Sequence, residues 1–95
     1  MNLISEQLLA MVRCPETRAS LTMAAAPLVA ALNARVARRD LKNRAGDIVE
    51  QPLDGALVRQ DGVVLYPIIN GIPVLLVDEG IPLEQLPPTE RPAVP

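Results

Sequence analysis

Residues 65–80 read Leu-Tyr-Pro-Ile-Ile-Asn-Gly-Ile-Pro-Val-Leu-Leu-Val-Asp-Glu-Gly, an aliphatic run folded back on itself at Asn70-Gly71. No other feature restricts the fold as strongly. Asn-Gly suits a two-residue hairpin loop because both positions tolerate the positive φ that a type I′ turn demands. Such a loop makes Ile69 and Ile72 the closing pair, sets Ile68 opposite Pro73, and sets Pro67 opposite Val74. Pro73 then falls where the hairpin needs no N–H, whereas Pro67 falls in the hydrogen-bonded column and gives up one ladder bond. The two prolines should shorten or bend the hairpin near its tip. The second arm, residues 73–77, does not alternate: Val74 and Leu76 point one way, Leu75 and Val77 the other, so both faces need cover. Either the monomer supplies that cover, or a partner completes part of one face, a free strand edge being a template for β-addition.

The surrounding pattern is a small α+β domain. Asp54-Gly55 and Asp61-Gly62 precede Asn70-Gly71, and three turn signals at this spacing have the cadence of an antiparallel β-meander. Residues 4–13 predict a short helix, with Ser5 as N-cap, Ile4 stapled onto Leu9, and Leu8, Leu9 and Val12 on one face. Pro15 ends it. Residues 19–24 predict a short first strand. Residues 27–46 predict a second helix: Pro27 suits the first helical position, and Leu28, Leu32 and Val36 recur every fourth residue, with Val29 widening the stripe. Arg35, Arg38, Arg39 and Lys42 match the negative end of its dipole, and Gly46 is placed to end it. From Pro82 the chain is proline-rich and should run extended or disordered to residue 95, with Ile81 to Leu86 lying on the body first. The expected organisation is one domain over residues 1–81 and a tail over 82–95.

Composition excludes more than it specifies. Ninety-five residues allow one core, half the chain is apolar, and that half holds no Phe or Trp and a single Tyr, Tyr66. The formal charge of −2 offers no global attraction to phosphate backbones. The absence of histidine removes the commonest general base and metal ligand. Cys14 is the lone cysteine, which rules out an internal disulfide, fits a reducing compartment, and cannot build a zinc site alone. Only Arg13 and Arg18 stand near it in sequence to lower its pKa, so a structural role is expected. The N-terminal residues read as neither signal peptide nor membrane span, which points to the cytoplasm. The cations of residues 35–44 lack interleaved aromatics and read as a solvated helix face. No catalytic constellation and no cofactor motif is present.

The motifs Leu-Leu-Ala-Met-Val-Arg-Cys-Pro (residues 8–15) and Tyr-Pro-Ile-Ile-Asn-Gly-Ile-Pro-Val-Leu-Leu (residues 66–76) resemble the multifunctional methyltransferase subunit family, the TRM-one-hundred-and-twelve-like proteins, in its short bacterial branch. The resemblance covers about half the chain. It implies a zinc-ribbon-derived fold in which Cys14 is a vestigial metal position. Thr17 stands where a second cysteine would complete the pair, and residues 56–64 hold no cysteine, so the resemblance implies a member without zinc. Residues 24–52 then form a helical insertion that supplies core in place of metal. The family also implies a non-catalytic subunit that activates or stabilises an S-adenosylmethionine-dependent methyltransferase acting on translation components. The residues carried over as partner-binding are Tyr66, Pro67, Ile68, Asn70, Gly71, Ile72, Pro73 and Val74. Two other readings stay open: a self-associating structural protein whose hairpin pairs with its own copy, and an RNA-binding accessory protein using the arginine-rich helix end.

Overall fold

The computed structural model describes residues 13–91. The helix predicted over residues 4–13 lies almost wholly outside them. The described chain is an antiparallel sheet with one helix, in the order β1 (Leu21–Met23), α1 (Ala26–Ala37), β2 (Gly55–Arg59), β3 (Val64–Ile69), β4 (Ile72–Pro73) and β5 (Ile81–Pro82), with short 3-10 turns near the C-terminal end. Strands β1 to β4 are neighbours in sequence order, as a meander requires, and β5 pairs with the first part of β3 on the edge that β4 occupies further along. The fold is a small single-domain α+β unit.

Alternation along β2 and β3 divides the core into two. Ala56, Val58 and Leu65 face Leu28, Leu32 and Val36 of α1, joined by Leu41, Leu53, Ile81, Leu83 and Leu86. Leu57, Val64, Tyr66 and Ile68 point the other way and pack with Cys14 and Leu21. Both faces of the central hairpin are therefore covered, which is why β2 and β3 read as nearly continuous apolar runs.

The tip of the β3–β4 hairpin has the register that the two-residue loop requires: Ile69 opposite Ile72 and Ile68 opposite Pro73. Asn70 and Gly71 both take positive φ, 54° and 76°. Val74 N–H donates to Pro67 O at 2.9 Å, the one bond that survives in the proline-containing pair. The expected strand over residues 73–77 does not form. After Pro73 the chain leaves the edge, lays Leu75 against the second core cluster, and makes a 3-10 turn at Val77–Glu79. It then passes so close to β3 at Gly80 that a Cβ there would lie 3.0 Å from a Val64 methyl carbon. This arc covers the second face where a longer strand would have left one row of side chains bare.

Three further expectations are corrected. Helix α1 stops at Ala37, nine residues before Gly46. Arg39 adopts φ 57°, Asp40 N–H reaches Arg35 O (2.8 Å) and Arg39 N–H reaches Val36 O (3.0 Å), a Schellman ending with arginine in the left-handed position. Continuing the helix would carry Arg39 and Asp40 onto the buried stripe and turn Leu41 away from it. By stopping, the chain buries Leu41 completely. Gly46 serves a later turn, between the bridged residues Lys42 and Ile48. Asp54-Gly55 is no hairpin turn: Gly55 begins β2, and the Asp54 carboxylate accepts the Gly71 N–H at 2.9 Å. Ile81 to Leu86 do lie on the body, with Leu83 and Leu86 buried, and Gln85 clamps Lys42 by donating to its carbonyl (2.8 Å) and accepting its N–H (3.0 Å); beyond them, residues 87–91 are not simply extended but make a further 3-10 turn at Pro88–Glu90.

Candidate functional site

The eight residues predicted to bind a partner separate into two groups. Tyr66, Pro67 and Ile68 are buried within the monomer, so they support the hairpin and present nothing to a partner. Their burial follows from the double cover of β3. Asn70 and Ile72 are exposed, and Gly71, Pro73 and Val74 are half-buried. Ile72 is 65% exposed, and Leu76, which the prediction omitted, is 63% exposed. Residues 72–76 hold no charged side chain; within this apolar run Ile72 and Leu76 meet solvent while Leu75 packs on the second core cluster. Leu76 was missed because residues 73–77 read as a strand with both faces covered. The arc over the second face turns Leu75 inward and Leu76 out.

A second constellation surrounds Cys14, which is 1% exposed. Residues 13–20 fold into a tight loop: Arg13 and Ser20 bridge, Cys14 N–H donates to Ala19 O (2.9 Å), Arg18 N–H donates to Cys14 O (2.8 Å), and Arg18 takes φ 63°. The loop turns the sulfur inward, 3.1 Å from the Tyr66 hydroxyl and 3.8 Å from Arg59 Nη1. Arg59, 8% exposed at the end of β2, is saturated with acceptors. Its Nε donates to both Asp61 oxygens at 3.0 Å, and its Nη1 donates to Glu16 Oε1 at 2.9 Å. Glu16 in turn grips Arg44 through both oxygens, at 2.6 and 2.9 Å.

This network shifts ionisation. Burial pushes the Cys14 thiol up. Hydrogen bonds from the Tyr66 hydroxyl, the Thr17 hydroxyl, and the Thr17 and Glu16 N–H groups outweigh it and bring the thiol from 9.0 down to about 6. The hydrogen bonds from Arg44 and then Arg59 hold Glu16 at about 2, and Arg59 holds the Asp61 carboxyl below its usual range. Burial and the hydrogen bond to Cys14 raise the Tyr66 phenol, so Tyr66 stays protonated and donates to the sulfur. Linear order does not signal this: Arg13 and Arg18 were the expected perturbers, whereas the groups that act are the Tyr66 hydroxyl, 52 positions away, the Thr17 hydroxyl and the loop N–H groups.

A depressed thiol suggests a nucleophile, but this one has no open approach: the atoms that stabilise the thiolate also enclose it. It does not suit a metal either. Among the described residues no three His, Cys, Asp or Glu side chains form a metal-binding group, and the guanidinium beside the sulfur would repel a cation. Cys14 sits in a salt-bridged knot that fastens the residue 13–20 loop to β2 and β3. Among the described residues no helix is long and apolar enough to cross a membrane.

No family model matches the chain, and no curated protein matches it. Among solved structures it is similar to the solution NMR structure of XF2673 from Xylella fastidiosa, a Northeast Structural Genomics Consortium target. The two are 29% identical, with a TM-score of 0.70, over 95% of this chain and 91% of that one, so the likeness spans the whole fold.

Proposed function

We propose that this chain is a non-catalytic protein-binding module that engages its partner through the apolar segment Ile72 to Leu76. The observation that carries this reading is the exposure of Ile72 and Leu76 at opposite ends of a five-residue run with no charged side chain, while most other large aliphatics among the described residues are buried. Side chains so placed contribute little to the monomer and would contribute to an interface. The buried Cys14 knot supports the same view, because the most perturbed titratable groups are committed to holding the structure together. The motif resemblance narrows the proposal to an activating or stabilising subunit of an S-adenosylmethionine-dependent methyltransferase, acting in the cytoplasm.

Tagged protein, wild type and Ile72→Asp, tests the reading by affinity capture from native extract with circular dichroism on both. Because Ile72 is exposed, the substitution should leave stability within about 0.5 kcal/mol of wild type while abolishing capture of the specific partner. Recovery of the same proteins by the folded variant would refute the proposal.

A further inference from the structure

We infer that Asn70 is a site of spontaneous deamidation, that the Asp54 carboxylate restrains it, and that conversion disables the hairpin tip as a binding surface. The modification stands on the geometry alone, and its effect on binding rests on the protein-binding reading above. Of the chain's four asparagines, only Asn70 is followed by glycine. Asn70 is exposed, and nothing lies within 4 Å of where a Cβ on Gly71 would stand. Neither a side chain nor a neighbour therefore obstructs attack by the Gly71 nitrogen on the Asn70 side-chain carbon.

The reaction needs only water and hydroxide. Hydroxide takes the proton of the Gly71 N–H, the nitrogen adds to Asn70 Cγ, and the Cγ–Nδ2 bond breaks. The departing nitrogen takes a proton from water and leaves as ammonia, which restores the hydroxide. The succinimide ring that remains takes up one water. Hydrolysis at Cγ gives aspartate in an unaltered backbone. Hydrolysis at the main-chain carbonyl carbon of residue 70 gives isoaspartate, with the backbone routed through Cγ.

Two features of the fold hold this back. Asp54, fixed by its own N–H on Ile68 O at 2.8 Å, accepts the Gly71 N–H through Oδ2 at 2.9 Å. A carboxylate is too weak a base to remove an amide proton, so its effect is electrostatic: it opposes the negative nitrogen that must form. A unit charge at that distance slows the step about tenfold even at the dielectric of water. The other feature is the turn. Asn70 and Gly71 sit at φ 54° and 76° between the paired residues Ile69 and Ile72. The closed loop resists the rotation that brings the Gly71 nitrogen onto Cγ, so conversion is coupled to opening of the tip, a local event short of global unfolding.

Either product undoes the arrangement. A carboxylate at position 70 adds a second anion near Asp54 and places charge two residues from Ile72. Isoaspartate lengthens the loop by one backbone carbon, and the two-residue turn that sets Ile69 opposite Ile72 is lost.

The test incubates the full chain, as wild type, Asp54→Ala and Asp54→Ser, in mildly alkaline buffer with and without urea. Ammonia release and fragment mass spectrometry follow conversion. NMR follows hydrogen exchange of the Gly71 amide, which passes through the same negative nitrogen. Asn70 should convert before any other asparagine, and more slowly in the folded chain than in urea. Both Asp54 variants should raise the folded conversion and exchange rates by up to about tenfold, and neither should change them in urea. The serine variant keeps a hydrogen-bond acceptor without the charge, which separates loss of the carboxylate from loosening of the loop. Conversion confined to the unfolded chain, or folded rates that neither substitution moves, overturns the inference, and acceleration by alanine alone overturns the electrostatic restraint. If the converted chain still captures the partner that Ile72→Asp loses, the effect on binding falls and the modification stands. If Asn70 does not convert while Ile72→Asp abolishes capture, the interface stands and the modification falls.

Discussion

Replacing Tyr66 by phenylalanine tests the Cys14 knot with the smallest chemical change available, since only the hydroxyl 3.1 Å from the sulfur is lost. A hydrogen bond to a charged group is worth about 1.5–3 kcal/mol, so the thiol should titrate about one to two pH units higher in the variant. The sign of the stability effect follows from linkage. In the folded wild type Cys14 titrates at about 6, and in the unfolded chain near its ordinary 9.0. Between these values the unfolded state binds more protons, so stability rises with pH across that window and is lost as pH falls through about 6. At about 1.4 kcal/mol per pH unit, the full gain is up to about 4 kcal/mol. Tyr66→Phe should remove about 1.5–3 kcal/mol above pH 9, and only about 0.5–1.5 kcal/mol below pH 6, where the thiol is neutral in both proteins. Urea unfolding at several pH values supplies the stabilities, and ultraviolet thiolate absorbance supplies the titration. The spectrum is favourable, with one cysteine, one tyrosine and no tryptophan. Wild-type stability that is flat or falling from pH 6 to 9, or a wild-type thiol that titrates at its ordinary value, would refute the reasoning.

Other perturbations probe the remaining parts. Arg59→Met should destabilise the protein by about 2 kcal/mol at neutral pH because it removes the buried cation that joins Asp61 to Glu16, although Glu16 keeps Arg44 and Asp61 is half exposed; urea midpoints check this, and a loss below about 0.5 kcal/mol would show the network to be incidental. Leu32→Ala deletes a fully buried side chain from the α1 stripe and should lower stability by about 3 kcal/mol, read from the same experiment. Asn33 uses its amide to grip Leu53 through both N–H (2.7 Å) and C=O (2.9 Å). Asn33→Asp replaces the donor with a second acceptor facing that carbonyl, so a loss of about 2 kcal/mol is expected at neutral pH, shrinking on acidification as the carboxyl protonates.

What the linear chain determined on its own was local. Asn70-Gly71 dictated a type I′ loop, and with it the pairing of Ile69 with Ile72 and the lost bond at Pro67, because a two-residue turn leaves only one register. The four-residue spacing of Leu28, Leu32 and Val36 likewise dictated the buried face of α1. Only the folded molecule decided where elements stop and which aliphatics meet solvent. Helix α1 ends at Ala37 because Leu41 has to reach a core whose position no local pattern encodes, and Leu76 is exposed because the arc after Pro73 covers a face that the pattern assigned to a strand. The environment of Cys14 was equally illegible. Its lowered thiol pKa depends above all on the Tyr66 hydroxyl, which β3 brings beside it, and electrostatic interactions follow distance in space, which separation along the chain does not report.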